Sequence, residues 1–194
     1  MRRWCGRRHC QILTTAVFLM ATATWPLAAA KLGVTEGGYW DDPVGGPTNR
    51  GITLNTLRSN RKVLGLSAAD AVTLATLKAL TEDDARKIWK AGYWDRACCD
   101  RLPVGLDYAV FDVAINSGPA KAIELLQAAQ GLHADGIFGP LTESSMKRAN
   151  IPLTIARLGA LRLQFMTKLK NWKPNSAGWA VRVATVTADA IALA

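Results

Sequence analysis

Nineteen residues, Thr35 to Thr53, constrain this chain more than any other stretch: Thr-Glu-Gly-Gly-Tyr-Trp-Asp-Asp-Pro-Val-Gly-Gly-Pro-Thr-Asn-Arg-Gly-Ile-Thr. A single glutamate, Glu36, is followed by five glycines and two prolines. Gly37-Gly38 ends any helix that runs into Glu36, because glycine takes the left-handed cap geometry that other residues resist. Gly45-Gly46-Pro47 then forces a tight turn. The expectation is a glutamate at the last turn of a helix, facing a loop whose backbone can approach a ligand closely. Beside Tyr39 and Trp40 such a carboxyl is partly desolvated, which raises its pKa toward what a general acid needs. A surface glutamate ahead of a glycine-rich hinge is the other reading of the same residues.

Beyond that stretch the pattern is helical. Ser67 is placed to cap a helix through Ala71, Leu74, Leu77 and Leu80, spacings that make one apolar stripe. Thr81-Glu82-Asp83-Asp84 resembles a capping box for the next helix, which carries Ile88 and Trp89. After Pro103, the residues Leu106, Val110, Val113 and Ala114 recur at helical spacing until Asn116-Ser117-Gly118-Pro119 stops them. Further helices are expected from Pro119 through Ala129, from Pro152 through Phe165, and after Trp179. No run alternates like a strand, and a short hairpin around Gly45 to Thr53 is the one expected place for β structure. The fold class is mainly α.

Charge narrows the partners. The chain carries a net +9, which draws it to polyanions such as nucleic acid, anionic lipid or an anionic bacterial wall. Arg2, Arg3, Arg7 and Arg8 supply four of the 24 basic residues; without them 20 face 15 acids, a net of +5. That excess, with no basic and aromatic stripe, argues against a nucleic-acid partner. The N-terminus has the three-part form of a secretory signal: cationic Met1 to Cys10, apolar Ile12 to Ala23, then small residues Leu27-Ala28-Ala29-Ala30. The apolar run is short and diluted by threonine for a stable span, which needs ~20 apolar residues. Residues 1–24 are therefore read as a signal-like or anchoring leader, with a misassigned start as the plainer alternative. Export to a secreted or periplasmic site is expected, with transient inner-membrane association through residues 1–25.

Cysteine and histidine exclude two chemistries. Cys5 and Cys10 lie in the leader, and the adjacent Cys98 and Cys99 could bridge only with strain, so no disulfide framework is implied. His9 and His133 are far apart, and no spacing suits a zinc cluster, so neither metal nor cofactor is expected.

Glu-Gly-Gly-Tyr, a Pro/Gly turn, and then Gly-Gly-x-Thr-Asn-x-Gly-Ile-Thr resemble the opening signature of the glycoside hydrolase family 108 muramidases. The resemblance continues through Trp89 to Asp95, Gly105 to Asp112, Asn116 to Gly118, Asp135 to Thr142 and Gly178 to Arg182. It implies a lysozyme-like helical domain with a small Gly-rich loop or hairpin and a helical C-terminal part. On this reading residues 25–110 form the catalytic domain and residues 111–190 a peptidoglycan-binding-like helical region. Within the latter, Gln127 to Thr142 looks like the repeat of small helical wall-binding modules, although a purely structural turn explains the same residues. The family's first helix starts with an aromatic about three turns before the glutamate, where Trp25 stands. Cleavage after Ala30 would remove that helix, which favours an uncleaved leader.

The resemblance implies a monomeric peptidoglycan hydrolase that cuts the β-1,4 bond between N-acetylmuramic acid and N-acetylglucosamine. Such cleavage needs a proton donor at the leaving oxygen and a second group on the other face of the sugar. The resemblance assigns Glu36 as the general acid. The family pattern has Asp-Pro directly before Gly-Gly; here Val44 precedes Gly45 and the loop is two residues shorter. Asp41 or Asp42 would then take the second role, or Thr48 alone would position a water, while Asp42-Pro43 also reads as a turn starter. Tyr39, Trp40, Tyr93 and Trp94 can stack on sugar rings or pack beside the cleft. Arg50 is placed to meet substrate carboxylates. Asp107, Asp112 and Asn116 make a polar stripe that either holds the catalytic loop or is solvated, and Asn116 is carried forward as a substrate contact. Two readings from other classes remain: a wall-binding protein without hydrolysis, suggested by the shortened loop, and a membrane-active lysis protein, suggested by the leader.

Overall fold

The computed structural model describes residues 24–33, 37–42 and 46–194, with the side chain of Asp42 left out. The expected helix tip at Glu36 and the turn at Pro43 to Gly45 lie outside the described residues. Helix α1 covers residues 24–33. A three-stranded antiparallel sheet follows, β1 (Tyr39–Asp42), β2 (Gly46–Asn49) and β3 (Ile52–Thr53), in that spatial order. The remaining helices are α2 (Leu54–Ser59), α3 (Leu74–Lys78), α4 (Glu82–Trp89), α5 (Leu106–Ser117), α6 (Pro119–Ala129), α7 (Pro140–Met146), α8 (Ile151–Met166) and α9 (Trp172–Leu193). The mainly helical class with a small hairpin sheet holds, and it is consistent with a lysozyme-like arrangement.

Helix α5 is the axle. Every residue from Leu106 to Ala114 is buried, so this part of the helix has no solvent face, and α6, α8 and α9 pack around it. Its N-terminus meets the end of α9 so closely that a Cβ on Gly105 would fall 2.3 Å from the Ala190 carbonyl oxygen. Phe111 of α5 joins Trp25 of α1 and Trp94 in a triangle of edge-to-face rings, with centroids 5.3 to 5.5 Å apart. Trp94 is fully buried and its Nε1–H donates to Asp100 at 2.7 Å, so it packs and offers no sugar platform. One hydrophobic cluster runs from Ala28 of α1 to Ala190 of α9.

Several local expectations held. Thr81 and Asp84 form a reciprocal capping box at α4, Pro119 opens α6, and α8 carries the helix expected from Pro152. Others did not. Ser67 caps no helix: its N–H donates to Asp70 in a turn, and the helix starts at Leu74 behind a Thr73–Thr76 box. The local bonds of Ser67 and Asp70 compete with helix and win. The last helix begins at Trp172, ahead of the expected start.

The Gln127 to Thr142 motif has a structural explanation. Gln127 is buried, and its Nε2 donates to Asp135 at 2.8 Å, Thr142 at 3.1 Å and the Ile137 carbonyl at 3.1 Å. Its Oε1 accepts from the Gly136 N–H at 2.9 Å. One amide thus replaces water for the whole loop between α6 and α7. Gln127→Leu, similar in size, strands these partners and should cost about 2–3 kcal/mol in urea denaturation. A loss below ~0.5 kcal/mol would show that the loop is held by other means.

Candidate functional site

The hairpin side comes first. Tyr39 faces Asn49 and Trp40 faces Thr48 across the β1–β2 pair, while Asp42 ends β1 opposite Gly46. Trp40 is 65% exposed, the most open aromatic ring of the sheet. Tyr39 is partly covered, with Lys78 Nζ 5.0 Å from its ring centroid. Thr48 Oγ1 donates to the Trp40 carbonyl at 3.4 Å, which places this hydroxyl beside the exposed indole. Arg50 turns the chain from β2 to β3 at φ 50, a left-handed position unusual for arginine. Its Nε is buried without a hydrogen-bond partner among the described residues. Asn49 Nδ2 donates to the Leu77 and Lys78 carbonyls at 2.9 and 3.2 Å, capping the end of α3 and tying the hairpin to the helical body.

Asn116, at the C-terminal end of α5, is exposed and accepts from Ser117 Oγ at 3.1 Å. The expected polar stripe of Asp107, Asp112 and Asn116 is not one surface: the two aspartates are buried. Glu36 lies outside the described residues.

A second surface was not singled out from the sequence. A groove of about 570 Å³ opens between the last turn of α1, the start of α5 and the middle of α9. Lys31, Tyr108, Asp112, Trp179, Arg182 and Asp189 supply its chemistry. Lys31 Nζ bonds Asp189 at 2.6 Å, pinning the exit of α1 to α9. Under the groove floor, Asp112 receives Arg182 Nη2 at 2.9 Å, Arg182 Nε at 3.1 Å and Arg162 Nη1 at 2.7 Å. Burial pushes the Asp112 carboxyl up, but the two guanidiniums prevail and hold it below the usual carboxylate range. Burial, with the negative charges of Asp112 and Asp189, pushes the Tyr108 phenol up to about 12, so it stays a neutral donor. The sequence signals for this groove were the Gly105 to Asp112 and Gly178 to Arg182 runs, which carried resemblance, and the reading of Asp112 as part of a polar stripe.

Among the described residues, no three His, Cys, Asp or Glu side chains cluster to hold a metal ion. Cys98 and Cys99 are free thiols, both pushed up by burial, Cys99 strongly.

Asp107 is the other unusual carboxyl. Burial raises it to about 7, against the pull of the Tyr108 N–H, Thr24 and the Gly105 backbone. For an acid whose folded pKa lies above its unfolded value, the native state binds the extra proton between the two. Stability therefore falls as pH rises from about 4 to about 7, by on the order of 4 kcal/mol in total. Asp107→Asn should melt like the parent at pH 4 and be more stable by about 2–4 kcal/mol at pH 8. An equal difference at both pH values would rule out a buried, protonated Asp107.

The family model of Glycosyl hydrolase 108 matches residues 30–118. Among solved structures, the chain is similar to SagA of Brucella abortus, with 35% identity and a TM-score of 0.81. The match covers 89% of this chain and 96% of that one. Among curated proteins, none matches.

Proposed function

This chain belongs to the glycosyl hydrolase 108 family, and we propose that it hydrolyses the β-1,4 bond between N-acetylmuramic acid and N-acetylglucosamine in peptidoglycan. Membership carries the coarser statement, a glycoside hydrolase of lysozyme-like type acting on cell-wall glycan. The observation that supports the finer one is the groove beside the last turn of α1. Leu32 lines it, and Glu36 follows four residues later, within at most ~14 Å along an extended chain. In this reading Glu36 protonates the oxygen that leaves the cleaved bond.

The second role falls to the hairpin. Asp42, at the end of β1, serves as the carboxylate that activates water, or Thr48 orients that water through its hydroxyl. Trp40 stacks on a sugar ring, with Tyr39, Arg50 and Asn116 as the further substrate contacts. The protein works as a monomer outside the cytoplasm, in the periplasm or beyond, with residues 1–25 serving as signal or transient inner-membrane anchor. One observation favours a second reading: Val44 stands where the resembled pattern has its Asp-Pro, and a chain without a second acid would bind wall and cut nothing.

Digestion of purified walls followed by muropeptide mass analysis separates these readings. The parent should release fragments with a reducing-end muramic acid, and Glu36→Gln should slow release about a hundredfold or more. Anhydro-muramic products would reassign the chain to lytic transglycosylation. Equal, negligible release by both proteins would leave the binding-only reading standing.

A further inference from the structure

Between Glu143 and Asp189 the chain carries eight basic residues and no acidic one. Arg162 and Arg182 are held by the buried Asp112. The other six are exposed, and none of them forms an ion pair among the described residues. Three of the six, Lys168, Lys170 and Lys173, fall together where α8 turns back into α9.

The turn is too tight to let them spread. The Leu169 N–H donates to the Met166 carbonyl and the Trp172 N–H to the Leu169 carbonyl, each at 3.0 Å. Like charges held this close repel, and an anionic surface relieves that repulsion. Lys121 of α6 reaches the same end of the bundle, with its Nζ 5.2 Å from the centroid of the Phe165 ring in the last turn of α8. It is ion-paired with Glu124, so that carboxylate is already spent and does not offset the turn.

Leu169 and Trp172 sit half-buried among the three lysines, and Trp172 packs beside Trp179 with ring centroids 6.1 Å apart. Lysines around a tryptophan and a leucine are the composition that settles at the headgroup level of a bilayer. An acidic protein fits less well, because protein interfaces are depleted of lysine and enriched in arginine, whose planar fork matches a fixed carboxylate. Mobile ammoniums on an exposed turn suit a fluid surface that offers charge without fixed geometry. Duplex nucleic acid fits less well too, since three cations neutralise few of its phosphates. On an anionic bilayer each lysine near the surface raises affinity roughly fivefold.

We propose that the α8–α9 turn, through Lys168, Lys170, Trp172 and Lys173, docks on an anionic phospholipid surface. The contact holds one end of the bundle against the membrane. It depends neither on residues 1–25 nor on the hydrolase reading.

The test sediments full-length protein with vesicles containing phosphatidylglycerol, and with vesicles of phosphatidylcholine alone. A triple variant, Lys168→Gln, Lys170→Gln and Lys173→Gln, should lose about a hundredfold in affinity for the anionic vesicles at low salt. Its binding to phosphatidylcholine should match that of the parent. A second triple, Lys147→Gln, Arg148→Gln and Arg157→Gln, removes the same charge from exposed positions elsewhere and should stay within about threefold of the parent. All six side chains are exposed, so both triples should melt with the parent. Amide deuterium exchange in residues 167–175 should slow on the anionic vesicles. Equal losses in the two triples would reduce the effect to overall charge and overturn the docking turn. So would unchanged affinity in the first triple, or exchange in residues 167–175 that the vesicles leave unaltered. Duplex DNA binding that the first triple abolishes, with vesicle binding intact, would reassign the turn to nucleic acid.

Discussion

The architecture turns on a single carboxylate. Asp112 of α5 is shared by Arg162 of α8 and Arg182 of α9, at side-chain exposures of 8%, 2% and 22%. Burying these charges has a desolvation cost comparable to their attraction, so the cluster adds little net stability. What it does is fix geometry. Removing one partner would leave a charge stranded in the core at a cost of several kcal/mol, so only one register of α5, α8 and α9 satisfies all three groups. Arg162 Nε and Nη2 remain buried without partners among the described residues, a deficit the surrounding packing must offset.

That register sets the groove. With α9 held against α5, Asp189 is placed to take Lys31, and the last turn of α1 is drawn to the same wall as Trp179 and Tyr108. The aromatic triangle of Trp25, Trp94 and Phe111 clamps the other end of α1 to the core. The hairpin is tied separately, through Asn49 to the end of α3. The stretch containing Glu36 thus runs between two anchored elements. In the proposed hydrolase reading, these anchors would hold the acid and the second group at a set spacing across a bulky glycan.

Local chemistry was easy to read along the chain. The cap at Thr81, the proline at Pro119 and the period of α5 are short-range signals that involve only residues within a turn or two. The turn at Ser67 was misread because Asp70 offered the backbone a stronger local partner. The motif at Gln127 looked like a candidate sugar loop, since nothing along the chain reveals that one buried amide is spent on four loop partners. Of the site, the hairpin residues Tyr39, Trp40, Thr48 and Arg50 were visible as a glycine-framed cluster. The groove was not: Lys31 meets Asp189 across 158 positions, and Arg182 meets Asp112 across 70.

By itself, then, the sequence determined the helical class, the hairpin, the limits of α5, α6 and α8 and the family, because each depends on residue types at short spacings. Only the tertiary structure decided that α5 is buried on all sides from Leu106 to Ala114, that Asp107 and Asp112 are core carboxyls, and that α1 and α9 share a groove. Those facts depend on which distant side chains compete for one buried charge, and periodicity along a chain carries no record of that competition.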